Sequence, residues 1–330
     1  MIYIKDFIIH ILDSNTQLPV LSEHVHPDDL DINKYLTTHI EKSLDDISTK
    51  KFQNIDNEEI TALFKDLSKK ELFLNKSKQL AKVVYEIIYK NGIEPLDLII
   101  INFTLNSKKY IGVFFMYYRV SYLHDIEYLD DKNLNKLVKN ITSLPNENQK
   151  IDEFIFYNLS DNEFIFKEKN HDIDGIKEPI ISKYILEVDV LLSPKEKLDI
   201  LNKTSKKIVK DYYDDSVNKL AEVNKIILDN VETKGYIDVE DIKDKAFKDN
   251  PEVKQAYDDE MLQKGLNDKE LSIEGLEKRL PQFQKIILDD EIEIKVPVEI
   301  LNDKEKLEFI VNSNGTVSIM LKDLVDIKQR

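Results

Sequence analysis

The sequence predicts an α+β fold: an antiparallel sheet with covering helices, a long connecting helix, and a second, smaller α+β domain. Three observations predict it. Residues 96 to 122, "LDLIIINFTLNSKKYIGVFFMYYRVSY", hold two apolar runs rich in β-branched and aromatic residues around the polar turn "NSKK". Residues 152 to 169, "DEFIFYNLSDNEFIFKEK", repeat that pattern around Ser160-Asp161-Asn162. Ser193-Pro194-Lys195-Glu196 then combines an N-cap, a proline at the first helical position and a capping-box glutamate, which opens a helix. With 330 residues and 42% hydrophobic content, the chain can bury cores for two domains, placed at 1–190 and 191–330.

In chain order, "YIKDFIIHIL" and "LPVLSE" read as two strands around the turn "DSNTQ". Pro27-Asp28-Asp29 opens a helix through Leu30, Tyr35, Leu36, Ile40 and Leu44. Asp56, Glu58 and Glu59 charge the start of a longer helical region, which breaks around "ELFLNKS" and ends at Asn91-Gly92. The two hairpins follow as the heart of an antiparallel sheet with helices on one face, and "KYILEVDVLL" supplies a further strand. From Ser193, the stripe Leu198, Leu201, Ile208, Tyr212, Leu220, Val223 and Ile227 predicts a single helix of about 35 residues. "DVEDIKDKAF", "NPEVKQAYDDEMLQKG" and "SIEGLEKRL" read as helical, and "QKIILDDEIEIKVPVEI" and "KLEFIVNSNGTVSIML" as strands, with Asn314-Gly315 a hairpin turn.

Composition excludes whole classes of chemistry. The absence of cysteine rules out disulfides, thiolate nucleophiles and cysteine-ligated metals. The seven glycines lie at least ten residues apart, so a dinucleotide fingerprint, a Walker loop and a nucleophile elbow are all ruled out. Only three arginines stand among 47 basic residues, so bidentate reading of guanine edges is disfavoured. No window approaches the roughly 20 apolar residues that span a bilayer, and "MIYIKDFIIHILD" is unlike a signal peptide, so a cytoplasmic location is expected.

Histidine and carboxylate groupings are sparse. His24 and His26 beside Asp28 and Asp29 lack the three or four converging ligands of a zinc site, and read as a solvated loop. Asp289, Asp290, Glu293 and Lys295 have the carboxylate-and-lysine layout of some metal-dependent nucleases, but the alternation of Glu293 and Lys295 with Ile292, Ile294 and Val296 describes a half-wet strand. His10 reads as a satisfied histidine within an apolar strand, and the aromatics of "VFFMYYRVSY" as sheet core rather than a base-stacking platform. The expectation is a non-enzymatic protein without metal or cofactor.

The segments "FIIHILD", "LDLIIINFTLNSKKYIGVFFM", "SKKIVKDYYDD" and "FQKIILDDEIEIKVPVEILNDKEKLEFIVNSNGTVSIMLKDL" together resemble the bacterial nucleoid-associated family usually called NdpA or YejK. The family carries phenylalanines on the third segment where this chain has Tyr212 and Tyr213. The resemblance implies association with chromosomal DNA in the nucleoid and contact with chromosome-maintenance proteins such as a type II topoisomerase. It implies no catalytic residue.

Charge gives that implication a location. The chain carries a net formal charge of -16, yet residues 65–82 and 195–210 each hold six lysines against two acids. Segregation of this kind focuses an attractive field locally. Lys203, Lys206, Lys207 and Lys210 follow i,i+3 and i,i+4 spacing, share one helix face and are the candidate nucleic-acid contact, bounded by Asp211, Asp214 and Asp215. Weak, nonspecific or partner-mediated DNA association is the first expectation. An acidic adaptor binding only chromosome-maintenance proteins is the second, and the nuclease a minor third. The oligomeric state stays open.

Overall fold

The computed structural model describes residues 1–53, 55–129, 132–189, 191–289 and 292–326. The chain divides into two compact units, Met1–Leu191 and Leu192–Arg330. Among the described residues no helix is long and apolar enough to cross a membrane.

The first unit carries, in order, β1 (Ile2–Leu12), α1 (Leu30–Leu44), β2 (Lys50–Gln53), α2 (Glu58–Leu67), α3 (Lys70–Lys90), β3 (Leu96–Leu105), β4 (Lys108–Tyr117), β5 (Arg119–Leu129), β6 (Lys132–Ser143), β7 (Glu153–Asn158), β8 (Glu163–Lys167), β9 (Asn170–Ile173) and β10 (Ile176–Pro179). Six strands form one antiparallel sheet in the order β1-β3-β4-β7-β8-β2. The predicted hairpin supplies two of its interior strands. Asn106 and Ser107 both take positive φ, the geometry that a two-residue turn needs to match the twist of its strands.

Helices cover both faces of this sheet rather than one. Leu98 and Ile100 pack on one side with residues of α2 and α3, while Ile99 and Ile101 pack on the other with Leu36 and Ile40 of α1. An unbroken apolar run has no wet side, so each face needs its own cover. Asp29 caps α1 by accepting from the backbone N–H groups of Asp31 and Ile32.

Three local expectations are corrected. "LPVLSE" forms no strand: on the free edge of β1 only Val20 bridges to Ile11, and Ser22 binds β1 through side chains instead of a ladder, its hydroxyl donating to the Ile9 carbonyl and its N–H to His10 Nδ1. "KYILEVDVLL" is not a strand: Ile181–Leu186 coil into a π-helical turn that buries Ile181, Ile185 and Leu186, and Val190 lies outside the described residues. The apolar run does not stay in the sheet to Tyr122, because β4 ends at Tyr117 and Arg119 starts a separate two-stranded ribbon, β5 with β6.

Gly112 of β4 sits where the sheet tolerates no side chain. A Cβ there would lie 3.2 Å from the Phe156 ring and 3.3 Å from that of Phe103. Gly112→Val is therefore expected to destabilise the first unit by about 1–3 kcal/mol through overpacking, read as a lower urea midpoint. An unchanged midpoint would show that the aromatic layer can shift aside.

The second unit carries α4 (Pro194–Tyr212), α5 (Val217–Lys234), β11 (Tyr236–Asp238), α6 (Val239–Ala246), α7 (Pro251–Gln263), β12 (Glu270–Ser272), β13 (Phe283–Leu288), β14 (Ile292–Pro297), α8 (Val298–Leu301), β15 (Leu307–Val311) and β16 (Val317–Leu321). The capping box at Ser193 forms as expected, but the single long helix does not. Asp214 and Asp215 take φ values of +51° and +54°, and Ser216 caps a new helix by accepting from the Lys219 N–H. Aspartate tolerates the left-handed region, and serine competes well as a cap, so the chain turns here. The break lets Tyr213 stack on Phe247, ring centroids 6.0 Å apart. "SIEGLEKRL" is also corrected, to the end of β12 and one 3-10 turn at Glu277–Arg279.

Candidate nucleic-acid interface

α4 sorts its residues cleanly by face. Leu198, Leu201, Thr204, Ser205, Ile208 and Val209 are buried, and Lys203, Lys206, Lys207 and Lys210 are all exposed. Sequence spacing thus places the four lysines on one solvent face, within about 100° of arc by helical geometry. Their surroundings differ. Lys207 is paired with Glu260 of α7, which also holds Lys264 at 2.6 Å. That hydrogen bond raises the Lys207 pKa and lowers that of Glu260. Lys203, Lys206 and Lys210 have no carboxylate partner among the described residues.

Lys206 faces a cleft of about 410 Å³ whose lining includes Asn202, Asn224, Arg279, Phe283, Lys285 and Lys295. Among the described residues no carboxylate lines it. Arg279 and Lys285 have outside partners: the guanidinium lies 3.7 Å from Asp199, and the Lys285 ammonium 2.8 Å from Glu293. Such exposed pairs are worth at most about 1 kcal/mol, so an incoming phosphate can displace them. The Lys295 ammonium stands 4.4 Å from the centroid of the half-exposed Phe283 ring.

The register of β13 and β14 places Lys285 directly opposite Lys295. Two like charges in facing positions destabilise a strand pair unless something anionic comes between them. Behind them the cleft floor is fixed: Gln284 donates to the Val217 carbonyl at 3.0 Å and accepts from Asn224 at 3.4 Å.

Arg279, Phe283 and Lys285 were not among the sequence candidates, and Lys295 entered only through the nuclease layout, not as a phosphate contact. Lys285 and Lys295 sit ten positions apart, and only the strand register makes them neighbours. Residues 65–82 fared differently as a basic island. Lys69 and Lys76 both pair with Asp66, at 2.7 and 3.2 Å, and Lys78 pairs with Glu23, so half of its lysines are engaged.

The other groupings have structural occupations. His26 stacks on Phe7 with ring centroids 4.4 Å apart. Glu293 engages Lys285, and Asp290 lies outside the described residues. Among the described residues no three His, Asp or Glu side chains converge as a metal site would require. Phe114, Phe115, Met116 and Tyr117 are buried in the sheet.

No curated protein sequence matches the chain. A family model described as nucleoid-associated protein YejK matches residues 8–328.

Proposed function

Because this chain belongs to the nucleoid-associated protein YejK family, we propose that it contacts chromosomal DNA directly, through phosphates, at the exposed face of α4 and the adjoining cleft. The observation that carries this reading is the cleft lined by Lys206, Arg279, Lys285 and Lys295, with no carboxylate among the described lining residues, in a chain of net charge -16. A polyanion is repelled by the average surface and attracted where cations gather as they do there, so contact is local. With three arginines in the chain, recognition falls on phosphate rather than base edges, and sequence discrimination is small. The protein acts in the nucleoid as a binding protein, without catalysis.

Retention of duplex DNA measured across a salt series tests this. About three phosphate contacts give a log-log slope near -3, at roughly -0.9 per neutralised phosphate. Replacing Lys203, Lys206, Lys207 and Lys210 together by glutamate is expected to flatten the slope, and Lys206→Glu with Lys295→Glu to remove about two contacts from it. Circular dichroism should stay near wild type since these lysines are exposed, and the thermal midpoint should fall only slightly, through the lost Lys207–Glu260 pair. Folded variants that bind with an unchanged slope would favour an adaptor that meets only proteins.

A further inference from the structure

Phe283 stands where a phosphate contact alone has no use for it. The register of β13 and β14 sets Phe283 opposite Pro297 and Lys285 opposite Lys295, so the ring and both ammonium groups share one face of the hairpin. The ring is 47% exposed, and Leu220, Leu280 and Pro281 line the same cleft beside it. A single exposed phenylalanine is ordinary on a protein surface. A flat ring in a cleft shared with Lys206, Arg279, Lys285 and Lys295 has a further use, because a nucleotide is an anion joined to a flat, stackable base.

Size and stacking favour one form of DNA. The cleft volume of about 410 Å³ lies in the ~300–1,000 Å³ range that takes a single small ligand, so one nucleotide can enter while a duplex can only lie across the mouth. In a duplex each base face is also covered by its neighbours in the stack, whereas a single strand offers that face freely. The ring is partly occupied, since the Lys295 ammonium stands 4.4 Å from its centroid. Cation–π contacts at exposed sites are weak. A phosphate between Lys285 and Lys295 draws that ammonium towards itself and uncovers the ring, so phosphate and base are bound together.

We propose that the cleft seats one unpaired nucleotide of single-stranded DNA, its phosphate between Lys285 and Lys295 and its base stacked on Phe283. The assignment rests on the DNA contact inferred above and adds to it a contact that only unpaired strands can make. Every base has a stackable face, so this contact carries little sequence information, in keeping with the three arginines of the chain.

Fluorescence anisotropy of a labelled oligothymidylate and of a duplex of the same length, each titrated with the full chain at one salt concentration, tests the site. Phe283→Ala should weaken single-strand binding by about 5-fold or more relative to duplex binding, since stacking on an aromatic ring strengthens binding by about 5- to 150-fold per base. A urea midpoint near that of wild type checks that this variant is folded. The chain has no tryptophan, so Phe283→Trp places a single reporter in the cleft. Its emission should be quenched by saturating oligothymidylate and not by saturating duplex. Thymidine monophosphate at the same nucleotide concentration should quench far less, because it lacks the flanking phosphates that hold a strand in place. Equal losses of single-strand and duplex affinity in Phe283→Ala, or tryptophan emission untouched by a bound single strand, overturns the proposal and leaves the phosphate contact standing. Quenching by thymidine monophosphate equal to that by the strand overturns it in favour of a free nucleotide. Single-strand binding with quenching but no duplex retention would keep the cleft assignment and remove the duplex contact. Binding to neither form removes both.

Discussion

Glu153→Ala is expected to cost the first unit about 3–5 kcal/mol. Glu153 is 0% exposed at the start of β7, and its carboxylate is held by three donors. The Tyr117 hydroxyl donates to one oxygen, and His171 Nε2 lies 2.8 Å from that same atom. The Lys169 backbone N–H donates to the other at 3.2 Å, and the Lys169 ammonium sits 3.5 Å over the Tyr117 ring. Burial, reinforced by the charge of Glu153, drives the Tyr117 pKa upward, which keeps the phenol protonated and donating. Alanine would leave the hydroxyl and imidazole buried without their acceptor. Glu153→Gln keeps an acceptor oxygen and should cost only about 1–2 kcal/mol. Urea unfolding, with amide exchange on β7 to localise the effect, separates the two variants. Equal stability of both with wild type, within about 0.5 kcal/mol, would show that the cluster contributes nothing net.

Acid should destabilise the same unit through His10, by about 3 kcal/mol between pH 6.5 and 4. Burial, then the nearby Lys78 charge, lowers the His10 pKa to about 4 from its ordinary 6.5. The imidazole is therefore neutral when folded, and its tautomer is fixed by its partners. Nδ1 accepts from the Ser22 N–H at 3.2 Å, which leaves Nε2 as donor to the Ser77 hydroxyl at 3.1 Å. The unfolded chain binds this proton more readily than the folded one. Its stabilising effect is complete above pH 6.5 and is lost as pH falls towards 4. His39, also buried, shifts in the same direction. His10→Gln should flatten the stability profile over that window. An imidazole that titrates near 6.5 by NMR in the folded protein would contradict the argument.

Much of the fold was legible because it rests on short-range rules. The β3–β4 and β7–β8 hairpins, the Asp29 cap of α1 and the capping box at Ser193 all come from residues within a few positions of one another. The misreadings arose where local signals conflicted or a distant partner decided. The apolar stripe from Leu198 to Ile227 argued for a continuous helix, but Asp214-Asp215-Ser216 offered a break and a new cap. "KYILEVDVLL" has strand composition, yet packing against the sheet coils Ile181–Leu186 into a π-helical turn.

The candidate interface divides along the same line. By itself the sequence determined that the four lysines of α4 share an exposed face, because helical periodicity fixes which positions align and the apolar stripe fixes which side is buried. It also excluded phosphate loops and cysteine chemistry, since those need residues or spacings the chain lacks. Only the tertiary structure decided that Lys207 is paired with Glu260 while Lys206 opens onto a cleft with Arg279, Lys285 and Lys295. Only it detached the β5–β6 ribbon from the sheet. Coulomb energy and strand pairing depend on distances in space, and residues 53 or 89 positions apart acquire a distance only when the chain folds.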